Sequence, residues 1–325
     1  MVRSKLFICF IILSLLAGCS APVSNMDTPS GTQKPVQDVL KEDERSYKLN
    51  NENVLEDNST PRASEEDSNK AEPQPPLPAQ PPPVSYKGER LDFNILDKLD
   101  NTRYSWWITM NSQHKTPGIP PKAQELISKH DGIYVGDTGK KAVYLTFDEG
   151  YENGYTPKIL DTLKENDVKA LFFVTGPYVK GHGELVKRML DEGHLVGNHS
   201  VNHPSLPMSS DKDLENELYG LEKQFSAKFG KGFKYMRPPR GEYSEKVLAA
   251  AKQLGYKTVF WSFAYRDFET NNQKGADYAY NMVMKNLHNG AVILLHAVSR
   301  DNAEALDRII KDIKSQGYTI SPFDL

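Results

Sequence analysis

His199 and His203 stand four residues apart in Gly197-Asn-His-Ser-Val-Asn-His-Pro204, a spacing that lets two imidazoles meet one cation. Spacing alone does not distinguish such a pair from two histidines in ordinary hydrogen bonds. A second segment, Thr146-Phe-Asp-Glu-Gly150, ends an apolar run in two carboxylates and a glycine. Acids at a strand mouth can ligate metal or take protons, although Asp148 and Glu149 could equally be solvated loop acids. Arg237-Pro-Pro-Arg-Gly241 sets Arg237 and Arg240 on a backbone stiffened by prolines, followed by a glycine that permits close approach. One arginine could hold a carboxylate of the protein and the other a carboxylate of a substrate, or both could tie loops together. Ile293-Leu-Leu-His296 closes an apolar strand with a group able to move protons near neutral pH, unless it is a hydrogen-bonded core histidine.

The elements that must position these groups alternate. Strand patterns at Ala142–Phe147, Ala170–Thr175, His194–Val196, Tyr235–Met236, Lys257–Trp261 and Ala291–Leu295 are followed by helical patterns. The helices are expected at Thr156–Glu165, Glu184–Glu192, Asp211–Lys228, Ser244–Leu254, Asp277–His288 and Ala303–Ser315, with a short strand near Tyr318. Repeated β-then-α units imply an α/β fold with parallel strands, either closed as a barrel or open as a sheet. Asp148, His199, Arg237, Asp267 and His296 all fall at or just past the C-terminal ends of predicted strands. That is the active face of a (β/α) barrel, and a distorted (β/α) barrel is the expected fold.

Outside this region composition decides. Arg3 and Lys5 precede an apolar stretch, Leu6–Leu16, too short for the roughly 20 residues of a spanning helix. With its ending Leu16-Ala-Gly-Cys19 the segment 1–19 resembles a bacterial lipoprotein signal. It implies a lipid on Cys19 and a protein anchored to the outer face of the cell membrane. Cys9 would leave with the signal, which removes any disulfide or cysteine nucleophile. Residues 20–85 carry 12 acidic against 6 basic side chains and few apolar ones, and 7 of the 11 residues from Pro73 to Pro83 are proline. Such a stretch cannot offset its ordering entropy and is expected to be a disordered tether. Residues 86–140, containing Tyr104-Ser-Trp-Trp107, are expected as an N-terminal extension packed on a catalytic domain at 141–325. The globular part is close to neutral, which gives no argument for nucleic acid as a partner, and a monomer is expected.

Taken in order, the Thr146-Phe-Asp148, His199 and His203, Arg237-Pro-Pro and Leu294-Leu-His296 segments resemble the polysaccharide deacetylases of carbohydrate esterase family 4. The resemblance covers residues 142 to 325. It implies Asp148 as catalytic base, a divalent metal of the zinc type on His199 and His203, Arg237 orienting the base, and His296 protonating the leaving amine. Within the family, Thr146–Thr156, Arg237–Gly241, Leu294–Glu304 and Tyr104–Trp107 are similar to the delta-lactam-biosynthetic de-N-acetylases of spore-forming bacteria. These act on N-acetylmuramic acid in peptidoglycan. The likeness implies Arg240 and Trp261 as substrate-binding residues, with Arg240 on the lactyl carboxylate. The expected partner is the peptidoglycan glycan strand, with N-acetylglucosamine as the alternative sugar and a catalytically silent wall-binding protein as the alternative class.

Two positions depart from the family pattern. Glu149 stands where most members have an aspartate as third metal ligand; either its longer side chain reaches the metal or water fills the place. Ala264 stands where many members have the acid that polarises the last histidine, and Asp267 is the nearby acid that could replace it.

Overall fold

The computed structural model describes residues 91–111 and 113–325; the expected signal, the lipidation site Cys19, the tether and residues 86–90 of the extension lie outside them. Among the described residues no helix is long and apolar enough to cross a membrane.

The strands are β1 (Tyr104–Ser105), β2 (Ala142–Glu149), β3 (Leu171–Val174), β4 (Leu195–Asn198), β5 (Tyr235–Met236), β6 (Glu242–Tyr243), β7 (Lys257–Thr258), β8 (Ala291–His296) and β9 (Thr319–Ile320). Seven form one sheet in the order β7-β5-β4-β3-β2-β8, with β9 also on β2, and every pairing is parallel. Crossover helices force that arrangement, because a parallel neighbour is reached only by returning over the sheet face. β2 is buried along its whole length, as a strand covered on both faces must be. Its side chains alternate. Val143, Leu145 and Phe147 enter the large cluster that packs the helices onto the sheet, while Tyr144 joins Leu171, Phe173, Tyr235, Val259 and Val292 inside the curl.

The sheet curls until its ends nearly meet, and two short contacts close the ring. Past β7 the chain reaches Phe263, which bridges Ile293 of β8 in parallel. Lower down, Ile133 bridges Val259 and Val135 bridges Ala291. The extension is therefore part of the barrel wall there rather than only packed on it. Gly136 and Gly290 make that approach possible: a Cβ on Gly136 would lie 2.4 Å from the Tyr144 ring, and one on Gly290 would lie 2.8 Å from the Gly136 oxygen. The same insertion explains why the expected strand Lys257–Trp261 is only two residues long, since Phe260 N–H donates to Ile133 instead of continuing a ladder. The rest of the extension has its own apolar cluster of Trp106, Leu126, Ile127, Tyr243, Leu248 and Phe260.

Helix Thr156–Glu165 matches its sequence pattern, and the others differ from theirs mostly at the ends. A short helix, Gly176–Gly181, was hidden by its glycines and proline. The expected single helix Asp211–Lys228 is interrupted by a wide π turn, Asn216–Gly220, between Asp211–Glu215 and Leu221–Phe229. At that turn two carbonyl oxygens serve the loop after β4: Glu217 O accepts from Val201 N–H at 3.1 Å, and Leu218 O from the Asn198 amide at 2.8 Å.

Candidate active site

Asp148 is the last inward-facing residue of β2, and the register of the parallel ladder sets it directly beside His296 of β8. Its partner on the other side is Arg237, whose side chain is fully buried. The Arg237 fork donates to Asp148 Oδ1 at 2.6 Å, Thr146 Oγ1 at 2.8 Å and the Val259 carbonyl at 3.1 Å. The guanidinium also lies 4.2 Å over the Phe173 ring. A buried cation is tolerated because its donors are satisfied and a carboxylate neutralises it. Burial by itself would raise the Asp148 carboxyl, but the charges of Arg237, His199 and His296 outweigh it and hold Asp148 below the ordinary carboxylate range. It is an ionised base at neutral pH.

His199 follows β4. Its Nδ1 lies 2.8 Å from the Arg237 carbonyl oxygen, which fixes the proton on Nδ1 and leaves the Nε2 lone pair 3.5 Å from Asp148 Oδ2. The His203 ring centre is 4.9 Å away. Burial pushes both histidines below their ordinary value, so both are neutral imidazoles, the form a metal requires. Ser200 and His203 have φ of 67° and 57°, in the left-handed region that side chains disfavour. That backbone is held by Ser200 N–H to Asn198 Oδ1 at 2.8 Å and His203 N–H to Ser200 Oγ at 2.9 Å. Glu217 then clamps the loop from the π turn, taking Asn202 N–H and the Asn202 amide, each at 2.7 Å.

The two neutral imidazoles, with ring centres 4.9 Å apart, are donors of the kind a divalent cation takes. Among the described residues no group of three or more His, Cys, Asp or Glu forms a metal cage. The geometry does not bring Glu149 to the histidines. Alternation along β2 turns it away from Asp148, into the layer between sheet and helices. There its carboxylate accepts from Thr156 at 3.4 Å, beside Tyr178 and Glu152, and one oxygen has no partner. Burial, then the charge of Glu152, push it well above the ordinary carboxyl range. The idea of a longer carboxylate reaching the metal is corrected accordingly: extra length does not help a side chain that leaves on the opposite face.

His296 is held from behind. Asp267 accepts from His296 Nδ1 at 2.8 Å and from the His296 backbone N–H at 2.7 Å, and its second oxygen also takes the Asn302 amide at 2.6 Å. Burial alone would lower His296, but Asp267 outweighs it and the imidazole sits above the ordinary histidine range. The ring keeps 23% of its surface exposed while Asp267 keeps none, so a ligand can reach the histidine and not its support. Asp267 is thus the acid bonded to the last histidine, where position 264 offers only an alanine. Arg240, with φ of 59°, sends its charge toward His203. Gly241 beside it (φ 65°) allows the Trp261 ring to close in, since a Cβ there would lie 2.7 Å from that ring. Trp261 accepts from the Trp106 indole N–H through its carbonyl at 3.0 Å, which ties the extension to this rim.

The sequence reading missed Glu217 and Asn302. Asn302 lies inside the Leu294–Glu304 segment and was within reach as the residue capped by Ser299. Glu217 carries no motif, because its role depends on the π turn.

The family described as polysaccharide deacetylase matches residues 135–259. The peptidoglycan-N-acetylmuramic acid deacetylase PdaA of Bacillus subtilis is 48% identical over 229 residues, 70% of this chain and 87% of that protein. A peptidoglycan-N-acetylglucosamine deacetylase of Bacillus cereus is 38% identical over 182 residues, 55% of this chain and 84% of its own length. The solved structure of Bacillus subtilis PdaA, described as a family 4 carbohydrate esterase, superposes with a TM-score of 0.68 at 49% identity, covering 70% of this chain and 97% of that one.

Proposed function

Because the chain belongs to the polysaccharide deacetylases of carbohydrate esterase family 4 and is a hydrolase of that kind, we propose that it removes the N-acetyl group of N-acetylmuramic acid in peptidoglycan. The observation that carries this reading is Asp148, ionised and clamped by Arg237 at 2.6 Å, beside two neutral histidines and across the ladder from His296, which Asp267 holds above the ordinary histidine range. An ionised carboxylate and a histidine whose proton is held more firmly than usual, on adjacent strands, suit amide hydrolysis, which needs a proton taken from water and another given to nitrogen.

His199 and His203 would hold the metal, zinc by donor type. When bound it polarises the amide carbonyl and makes water a better nucleophile at neutral pH. Asp148 takes the proton of the attacking water. Arg237 keeps the carboxylate aimed and charged. The backbone N–H of Arg240 donates to the oxygen that gains charge. His296, aligned by Asp267, gives its proton to the amine as the C–N bond breaks, so amide plus water become acetate plus a free amino sugar. The Arg240 side chain takes the lactyl carboxylate, and that carboxyl can then condense with the new amine, its hydroxyl oxygen leaving as water, to give the delta-lactam of spore cortex. Cys19 carries the lipid that keeps the enzyme, a monomer, at the outer membrane face.

Two measurements test this. Wild type and Asp148→Asn are incubated with peptidoglycan before and after removal of its peptides, and products are identified by mass. We expect free muramic amine or lactam from wild type and a rate lower by roughly a thousandfold in the variant. Equal acetate release by both proteins sinks the assigned base. Deacetylated glucosamine as the sole product assigns the alternative sugar, and a wild type that binds wall but releases no acetate is the silent protein.

A further inference from the structure

Beyond the groups assigned above, the same end of the barrel holds a cavity of about 260 Å³. Its wall is formed by Asn153 and Tyr155 from the loop after β2, by Thr270, Asn271 and Gln273 from the segment after Asp267, and by Arg300 past β8. Gln273 in this wall donates to the carbonyl of Asp267, whose carboxylate holds the His296 ring, so the cavity adjoins the reacting groups without containing them.

The back of this cavity is rigid. The Asn153 amide donates to the Val298 carbonyl at 2.9 Å, locking the two loops together. Gln273 donates to the carbonyls of Asp267 and Glu269, each at 3.0 Å, and its oxygen accepts from Ser299 Oγ at 2.8 Å and Asp301 N–H at 3.1 Å. The mouth is different. The hydroxyls of Tyr155 and Thr270 and the amide of Asn271 make no hydrogen bond among the described residues. Arg300 is half-exposed, and its ion pair is a long one, 3.6 Å to an Asp301 carboxylate whose other oxygen already accepts from Gly275 N–H at 2.6 Å. A fixed polar floor beneath uncommitted hydroxyl, amide and guanidinium groups is how a site is built for a ligand rich in hydroxyl and carbonyl oxygens. The volume falls below the roughly 300 Å³ where drug-sized pockets begin, so it takes one ring and not an oligosaccharide. With one cation, the wall suits a neutral pyranose better than a phosphate, which would draw more positive charge.

We propose that this cavity is a saccharide subsite that holds the sugar next to the one deacetylated, with Arg300 and Asn271 as its specificity residues. This rests on the glycan deacetylase reading above and adds a direction to it: the strand continues past His296 toward the loop after β2. The test uses the full chain, loaded with zinc, as wild type, Arg300→Gln, Arg300→Lys and Asn271→Ala. Each is given peptide-free glycan strands of four or more sugars and, separately, the single N-acetylated sugar. On strands, Arg300→Gln and Asn271→Ala should raise KM about tenfold with the loss falling on KM rather than kcat, and Arg300→Lys should recover part of it. The single sugar should show no such difference. An unchanged KM on strands, or an equal rise on strand and single sugar, overturns the subsite. If wild type releases no acetate at all, the parent reading fails, and calorimetric binding of strands decides the subsite by itself. Weaker binding by Arg300→Gln than by wild type upholds it, and equal binding overturns it.

Discussion

At the scale of single residues, position along a strand decides chemistry more than side-chain type does. Asp148 and Glu149 are neighbours in sequence, yet one is an ionised base in the barrel and the other a buried carboxyl held above its ordinary range under the helices. Asp148, His199, Arg237 and His296 were legible because each ends a strand pattern, and parallel strands present their ends together. Glu149 obeys the other half of the same rule: the alternation that marks β2 as a strand also sends consecutive acids to opposite faces. Because the folded state raises Glu149 above its unfolded value, any stability tied to its protonated form is complete at acid pH and is lost as pH rises. Glu149→Gln, neutral and of the same shape, should therefore match wild type in stability at acid pH and exceed it at pH 8 by denaturant unfolding. Its deacetylation rate and zinc content should stay within about threefold of wild type. A loss of zinc in Glu149→Gln would restore the carboxylate as a ligand.

At the scale of elements, the wide turn Asn216–Gly220 matters most. A 3.6-residue pattern cannot reveal it, because an inserted residue leaves the apolar spacing on either side intact. What it does is aim Glu217 at the Asn202 backbone and amide, and so hold the strained segment from Ser200 to His203. Glu217→Ala should weaken zinc binding about 10- to 100-fold, as loss of a support behind a metal-binding histidine usually does. A competition titration against a chelator measures it. The fold should persist, since the flanking helices keep their own apolar contacts through Leu214, Leu221 and Phe225. If zinc affinity is unchanged, the loop holds His203 without Glu217.

At the scale of the whole molecule, the parallel order of the sheet followed from alternating patterns, whereas the closure of the ring did not. It depends on isolated pairings, Ile133 with Val259 and Phe263 with Ile293, that no periodicity announces. Global stability has a pH signature at the start of β4. Burial pushes His194 down to about 4, and its Nδ1 accepts from Ala170 N–H at 3.2 Å, a bond only the neutral ring can make. As pH falls, the unfolded chain takes the proton first. Stability from neutral His194 is therefore present above about 6.5 and lost between there and about 4, on the order of 3 kcal/mol. Unfolding curves at pH 7 and pH 4.5 should show that loss in wild type and a smaller one in His194→Asn, whose side-chain oxygen can accept the same bond; parallel losses exclude His194 as the source. Closure of the ring also links the fold to the reaction. Val292 O accepts from Ser262 N–H at 3.0 Å and Leu294 N–H donates to Phe263 at 2.9 Å, and a few residues further along the same junction Asp267 grips both the ring and the backbone of His296. The proposed proton donor is thus itself a rivet of the barrel's last joint, so a change at Asp267 that alters its acidity also loosens the wall. Amide exchange at Leu294 and His296 in Asp267→Asn should quicken well ahead of the rest of the sheet.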